Sequence, residues 1–283
     1  MCSDTQTGTL YIVATPIGNL ADMTFRAVDT LKSVDFIAAE DTRHSKRLLN
    51  HYNINTRLIS CHEHNEIKRT ARFISDLKSG KSIALISDAG TPTISDPGYK
   101  LVAAVAKEDI KVIPIPGCSA AIAGLSVSGL PTDTFLFVGF LPRKKNKQKA
   151  TLDNLKSRTE TLIVYESPRR IIKLIDTLLQ VFGDRNACLT REITKINEEH
   201  IRMPLSDIYR VLSSRESIRG ECTIFIEGYL NKKELPEKEL DQIIIQEIKK
   251  GAYKTSNLAR QISEEYSISK KRVYDRILRL SQK

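Results

Sequence analysis

The stretch 87–98, "SDAGTPTISDPG", gathers two aspartates, four hydroxyl residues, two glycines and two prolines around one bulky side chain, Ile94. It contains no lysine or arginine, so a phosphate would meet only Asp88 and Asp96, which repel it. Carboxylates, hydroxyls and backbone carbonyls suit instead a ligand with ammonium or hydroxyl donors or a positive centre. The glycines let such a ligand come close to the backbone. Two other loops are built alike: "TPIGNLADMT" at 15–24 and "PGCSAAIAG" at 116–124. None of the three matches GxGxxG or the GxxxxGK[ST] phosphate loop.

S-adenosylmethionine has the required chemistry: an α-ammonium, ribose hydroxyls and a sulfonium cation. The residues placed to meet it are Pro16 and Gly18, then Asp88, Ala89, Gly90 and Thr93, then Ser119 and Ala120. Each also has a structural reading. Pro16 and Gly18 shape a turn. Asp96 caps the helix of "PGYKLVAAVAKED", with Pro97 at its first position, and Ser119 caps the next helix. The ligand reading rests on all three loops falling at strand ends of one sheet.

Three further segments set acid beside base. "AEDTR" holds Glu40, Asp41 and Arg43; "YESPRR" holds Glu166, Arg169 and Arg170; "TREITK" holds Arg191, Glu192 and Lys195. Two readings are open, a reacting constellation and a structural ion-pair network. "CHEH" at 61–64 lacks a second half with ligand spacing and reads as a polar loop after a strand, so no metal is expected.

These segments need elements to carry them. Short apolar, β-branched runs at 9–14, 34–39, 56–60, 82–87 and 111–115 read as strands, with helical periodicity between them. In "NEIKRTARFISDLKSG", Ile67, Ala71, Ile74 and Leu77 fall on one face. Alternation of this kind predicts a mainly parallel sheet with helices on both faces, where ligands bind outside the carboxyl ends of the strands. A break at "SGLPTD" (128–133) precedes strands at 134–140, 161–166, 187–192 and 222–228, with helices at "SPRRIIKLIDTLLQVFG" and about 204–213. The closing strand is free to pair antiparallel, giving a mixed sheet. Beyond the charged linker "NKKELPEKE" the pattern is helical, with Ser256 and Ser269 as N-caps and two short helices joined by "SIS" that resemble a helix-turn-helix. The expected division is 1–130, 131–230 and 231–283. The tail has two readings, nucleic-acid contact or packing on a partner subunit.

Composition narrows the class. The 283 residues are 41% hydrophobic, enough for real cores, and charges interrupt every apolar run before it reaches membrane-spanning length. The N-terminus shows no basic region followed by an apolar core. The five cysteines (Cys2, Cys61, Cys118, Cys188 and Cys222) are odd in number and widely spaced, as reduced thiols in a cytoplasmic protein would be. A net charge of +10 favours a polyanionic partner. "RKKNKQK" at 143–149 (Arg143, Lys144, Lys145, Lys147 and Lys149) has no aromatic for stacking, so it would grip RNA phosphates without reading bases; a solvated mobile loop is the other reading.

Taken in order, "TPIGNL", "AEDTR", "SDAGTP…DPG", "PGCSAAIAG", "YESPRR" and "TREITK" resemble the tetrapyrrole methylase superfamily, and within it the branch acting on small-subunit ribosomal RNA. The resemblance runs from about residue 9 to 228. Where the family usually has Pro-Gly-Pro, this chain has Pro116-Gly117-Cys118, and where it often has a histidine, this chain has Arg169. The resemblance implies two α/β domains of the tetrapyrrole-methylase type, the first with a mainly parallel sheet and the second mixed, plus a small helical C-terminal extension. It also implies a homodimer with S-adenosylmethionine and no metal in the cleft, Gly220 joining the cofactor set. The implied reaction is methylation of a cytidine 2′-hydroxyl in small-subunit ribosomal RNA. In that frame Glu166 or Asp41 is the expected proton acceptor, with Glu192 beside it. Arg43 and Arg191 position phosphate or ribose, and Arg169 and Arg170 join the basic run in binding RNA. A tetrapyrrole precursor as substrate, or a non-enzymatic nucleic-acid-binding protein, are the alternatives.

Overall fold

The structure is a computed structural model and describes residues 7–230, 237–251, 254–266 and 268–281. Cys2, residues 231–236 of the charged linker, and Ser267 lie outside the described residues. Two compact units are present: one runs to Glu227 apart from residues 157–159, and the other comprises 157–159 and Gly228 onward.

The first five strands are β1 (Thr9–Val13), β2 (Phe36–Ala39), β3 (Leu58–Ser60), β4 (Ile83–Ile86) and β5 (Lys111–Ile115). They form one all-parallel sheet in the order β3-β2-β4-β1-β5. The strand pattern alternates between two cores because successive side chains point to opposite faces. Leu10, Phe36, Ala38, Ile83 and Leu85 pack against α3 (Glu66–Lys78) and α4 (Tyr99–Lys107). Val13, Ile37, Ala39, Ala84 and Ile86 pack against α1 (Phe25–Ser33) and α2 (Thr42–His51). The central strands β2 and β4 are buried at every position, as a sheet covered on both faces requires. Pro114 is tolerated because β5 is an edge strand bonded only to β1.

Several local expectations change. In α3 the buried positions are Glu66, Phe73 and Leu77, while Ile67 is 70% exposed. The apolar stripe therefore turns about Phe73 rather than Ile67. Helix α4 begins at Tyr99 with Gly98 as its cap, so Asp96 is not the N-cap and Pro97 lies before the helix. Residues 42–51, which begin inside "AEDTR", form α2.

The second five-stranded sheet has the order β6-β7-β10-β8-β9. Its strands are β6 (Phe135–Phe140), β7 (Thr161–Glu166), β8 (Asn186–Arg191), β9 (Glu199–Pro204) and β10 (Cys222–Ile226). Only β6 and β7 run parallel; β10 pairs antiparallel with both β7 and β8. One face is covered by α6 (Lys145–Leu155), α7 (Ile171–Phe182) and α8 (Leu205–Ser213), whose Leu152, Leu174, Leu178 and Ile208 are buried. The other face receives α5 (Ala120–Ser128). Its Ala121 and Leu125 cluster with Ile163, Cys188 and Phe225 of the second sheet. A Cβ on Gly124 would lie 2.4 Å from Phe225 Cζ, so this close seating needs glycine. A helix that precedes the break in sequence thus belongs in space to the second sheet.

The second unit is three helices, α9 (Glu237–Lys249), α10 (Thr255–Tyr266) and α11 (Lys270–Ser281), around Leu240, Ile244, Leu258, Ile262, Val273 and Ile277. Arg276 of α11 bonds Asp241 of α9 through Nε at 2.6 Å and Nη2 at 2.8 Å. Ser256 lies inside α10, which starts at Thr255, so it is not the cap; Ser269 Oγ accepts the Arg272 N–H at 3.5 Å. No helix among the described residues is long and apolar enough to cross a membrane.

Candidate active site

The loops after β1, β4 and β5 are bonded to one another at the carboxyl edge of the parallel sheet. Thr15 and Gly90 exchange both backbone hydrogen bonds, at 2.9 and 3.0 Å. Thr91 Oγ1 donates to the Cys118 carbonyl at 3.1 Å, and Cys118 Sγ lies 3.5 Å from the Asp22 carbonyl. From the neighbouring strand β2, the Asp41 N–H donates to Asp88 Oδ1 at 3.2 Å. The loop after β4 carries strain at Thr93 (φ 75°) and Ser95 (φ 66°), while Gly90 (φ 84°) and Gly98 (φ 121°) take positive φ without it. Strain clustered in this way is held only where the surroundings over-determine it, as at ligand sites.

Beside these loops lies a cleft of about 430 Å³. Asp88, Ala89, Gly90, Asp96, Ser119 and Ala120 line it from the first sheet, and Phe140, Tyr165, Glu166 and Cys222 from the second. Tyr165 holds the seam, its hydroxyl accepting the Ala121 N–H at 3.1 Å. Phe137 and Phe140 stand edge-on to its ring, with centroids 5.0 and 5.6 Å away. Burial pushes the Cys222 thiol up to about 12, so it is a neutral wall and no nucleophile.

The electrostatic focus of the cleft is Glu40, at the end of β2. Burial first, then the carboxylates of Asp96 and Asp88, raise its pKa to about 7, against a smaller opposing hydrogen bond with the Asp88 backbone. Asp96 is raised as well, by its own burial and then by Asp88, with the Ser87 hydroxyl opposing. Among the described residues no lysine or arginine forms a salt bridge with Glu40, Asp88 or Asp96. Three unneutralised carboxyl groups beside an aromatic wall fit a ligand that is both cationic and heteroaromatic.

The other nominated residues are distributed differently. Asp41 does not line the cleft. Its carboxylate caps α2, accepting the Arg43 N–H at 2.8 Å and the His44 N–H at 3.3 Å, and these bonds lower its pKa. Glu166 does line the cleft, but Oε1 accepts the Ser167 N–H at 2.7 Å and Oε2 meets Arg170 Nη2 at 2.9 Å. Arg191 is occupied by Glu199 (Nε to Oε2, 3.0 Å) and the Arg219 carbonyl (3.1 Å). Glu192 accepts Lys195 Nζ at 2.9 Å and the Glu221 N–H at 3.0 Å. Gly220 (φ 86°) lies against the Glu192 side chain, where a Cβ would sit 2.2 Å from Cγ. Thr93 packs toward Gly98 rather than the cleft.

Pro16 and Gly18 line an adjoining recess of about 330 Å³ with Leu20, His44, Arg47 and Lys195. A Cβ on Gly18 would lie 2.4 Å from Lys195 Cγ, and the Asn19 N–H donates to Thr194 Oγ1 at 3.1 Å, so the first loop lies close against the loop after β8. Ser119 stands at the N-cap of α5 but makes no side-chain capping bond. Arg169 is exposed, as are the five basic residues of 143–149, which cap and begin α6 rather than forming a loop. Among the described residues no three His, Cys, Asp or Glu side chains are grouped to hold a metal ion.

The sequence reading missed Tyr165 and Phe140 in the wall, and it nominated neither Glu40 nor Asp96 for the cofactor. No sequence signal marked them, because it is the pairing of β2 with β4 that sets Glu40 beside Asp88.

A doubly wound parallel sheet joined through a helix to a mixed sheet, with the cleft at the strand ends, is the architecture of a two-sheet α/β enzyme-like fold. The chain matches the family described as Tetrapyrrole (Corrin/Porphyrin) Methylases over residues 9–209 and belongs to that family, so it is a methyltransferase. Within the family, it is 45% identical to Ribosomal RNA small subunit methyltransferase I of Halalkalibacterium halodurans, over 95% of this chain and 94% of that protein. It is likewise 45% identical to the protein of the same name from Bacillus subtilis, over 95% and 93%. The crystal structure of uroporphyrin-III-C-methyltransferase from Thermus thermophilus shares the fold at 19% identity, with a TM-score of 0.54 over 78% of this chain and 92% of that one.

Proposed function

We propose that this chain transfers a methyl group from S-adenosylmethionine to the ribose 2′-hydroxyl of a cytidine in small-subunit ribosomal RNA. The observation that carries the reading is the cleft itself, with Glu40, Asp88 and Asp96 unneutralised opposite Tyr165 and Phe140. The relatives' name supplies the RNA. When bound, the sulfonium supplies the electrophilic carbon, so the protein contributes position and proton transfer.

We give the proton-accepting role to Glu40 in preference to Asp41 and Glu166. Its pKa near 7 suits a base at working pH, whereas Asp41 caps a helix and Glu166 holds Arg170. A cation in the cleft would draw Glu40 toward its ionised, proton-accepting form. Asp88 and Asp96 would face the positive centres, and the backbone of Gly90, Ser119 and Ala120 would line the remainder. Arg43, Arg169, Arg170 and the basic residues of 143–149 remain proposed RNA contacts. A homodimer goes with this reading on the strength of the resemblance, and action in the cytoplasm and a division at 1–130, 131–230 and 231–283 on the sequence pattern.

The test is labelled methyl transfer offered in parallel to small ribosomal subunits, free ribosomal RNA and a porphyrinogen precursor, followed by mapping of the modified position. A label on a cytidine 2′-oxygen is expected. Label on the tetrapyrrole alone would overturn the proposal.

A further inference from the structure

Two recesses flank the cleft, and they differ in charge. The first, of about 500 Å³, shares Glu40, Ser95 and Asp96 with the cleft and adds Glu63, Glu66, His62, His64, Tyr99 and Lys100. Four carboxyl groups face one lysine there, which turns a polyanion away. The second, of about 330 Å³, shares Ile17, Asp88, Ala89 and Glu221 with the cleft and sets Arg47, Lys195 and His44 against those two carboxylates, so it is balanced where the first is acidic. It lies along α2, whose sequence "TRHSKRLLNH" has no acidic residue. Ser45 and Leu49 are buried and anchor that helix, while Arg43, His44, Lys46 and Arg47 are exposed. Among the described residues, Arg43, Lys46 and Arg47 form no salt bridge.

We propose that the exposed face of α2, with Lys46 and Arg47 at its centre, receives the phosphates of a single-stranded RNA segment and leads the adjoining nucleotide through the Arg47 recess into the cleft. This rests on the RNA-methylating function proposed above and adds the side from which the strand arrives. The chemistry of the recess agrees with a nucleotide. Leu20, Leu48 and Ile17 offer apolar surface to a base, while Arg47 and His44 stand at hand for its phosphate. Lys195 is less available, since it bonds Glu192 and Glu221 at 2.9 and 3.2 Å. The helix bears no Phe, Tyr or Trp, so it positions the strand chiefly through its charges.

The experiment uses the full chain and a ribosomal RNA fragment that the wild-type protein methylates. Lys46→Glu/Arg47→Glu is compared with Lys107→Glu/Lys111→Glu, which makes the same charge change at the opposite, amino edge of the parallel sheet, where Lys111 begins β5. Calorimetry with S-adenosylhomocysteine serves as the control for folding. The α2 variant is expected to bind RNA about 10- to 100-fold more weakly. Its slope of log affinity against log salt should shrink by about 1.4, for two phosphate contacts on a single strand. Its affinity for S-adenosylhomocysteine should stay unchanged, and the control variant should stay close to wild type on all measures. RNA affinity and salt slope equal to wild type in the α2 variant, or an equal loss in the Lys107/Lys111 control, would overturn the α2 track while leaving RNA methylation standing. A wild-type protein that methylates no RNA brings down both.

Discussion

Thr15 and Gly90 trade backbone hydrogen bonds in both directions, an isolated antiparallel bridge between two loops that leave parallel strands. The bridge fixes the floor of the cleft, because it ties the end of β1 to the strained loop after β4. Gly90 is at φ 84°, and a Cβ there would come 3.4 Å from Ile17 Cγ2. Gly90→Val should lower the melting temperature, consistent with a cost of about 1–2 kcal/mol for a β-branched residue at positive φ. It should also weaken S-adenosylhomocysteine binding by about tenfold or more. Unchanged affinity in calorimetry would separate this loop from the ligand.

Glu40 leads to a pH prediction whose direction is set by its raised pKa. In the empty cleft it is largely protonated below about 7, and a bound cation favours its charged form. Binding S-adenosylmethionine at pH 6.5 should therefore release protons, visible as a dependence of binding heat on buffer ionisation enthalpy. Glu40→Gln should abolish that dependence and slow single-turnover methyl transfer by about 100-fold or more. Should Asp41→Asn slow the chemistry as much as Glu40→Gln does, the base assignment moves back to Asp41. Stability follows the same group. The folded state holds the Glu40 proton more tightly, so this contribution is full below about 4.5 and is lost as pH rises through about 7. Glu40→Gln should flatten that arm of the stability profile.

Glu199 behaves in the opposite sense. Arg215 (Nη1 to Oε2 at 2.8 Å) and Arg191 hold its carboxyl down to about 2, although burial opposes them. Its contribution is present above about 4.5 and is lost as pH falls toward 2. Glu199→Gln leaves two guanidinium groups without their shared anion and should cost about 1–3 kcal/mol at neutral pH. The gap from wild type should close on acidification, as read by denaturant titration at several pH values.

The seating of α5 gives a fourth prediction. Gly124→Val places methyl groups where Phe225 Cζ already sits and should destabilise the fold by about 1–3 kcal/mol. Thermal melting measures it, and a wild-type melting temperature would show that the helix shifts freely.

Much of the fold was legible because apolar, β-branched runs such as "SIALIS" and "KVIPI" stand out between polar segments, and nine of the ten strands fall where such runs were read. The missed strand, β9 (Glu199–Pro204), reads "EHIRMP" and has one buried side chain, Ile201, so its sequence lacks an apolar face. Helix α2 shows little periodicity of its own, since its buried residues are Ser45 and Leu49. At the site, Asp88, Gly90 and Ser119 were legible from loop composition. What the sequence did not show about the expected acceptors, Glu166 and Asp41, is a local competition at Asp41. A carboxylate one residue before a helix is captured by backbone N–H groups, while its neighbour on the strand end is left to face other acids. That distinction depends on where α2 begins and on which strand lies beside β2, neither of which composition reveals.

Helix α5 has a consequence for how such chains can be cut or recombined. Severed near residue 130, the first half would carry Ala121 and Leu125 with nothing to cover them, and the second would bare Phe225 and Cys188 to water. Neither half is a portable module. Exchange between relatives must therefore move both sheets together, or transplant α5 with the sheet that receives it.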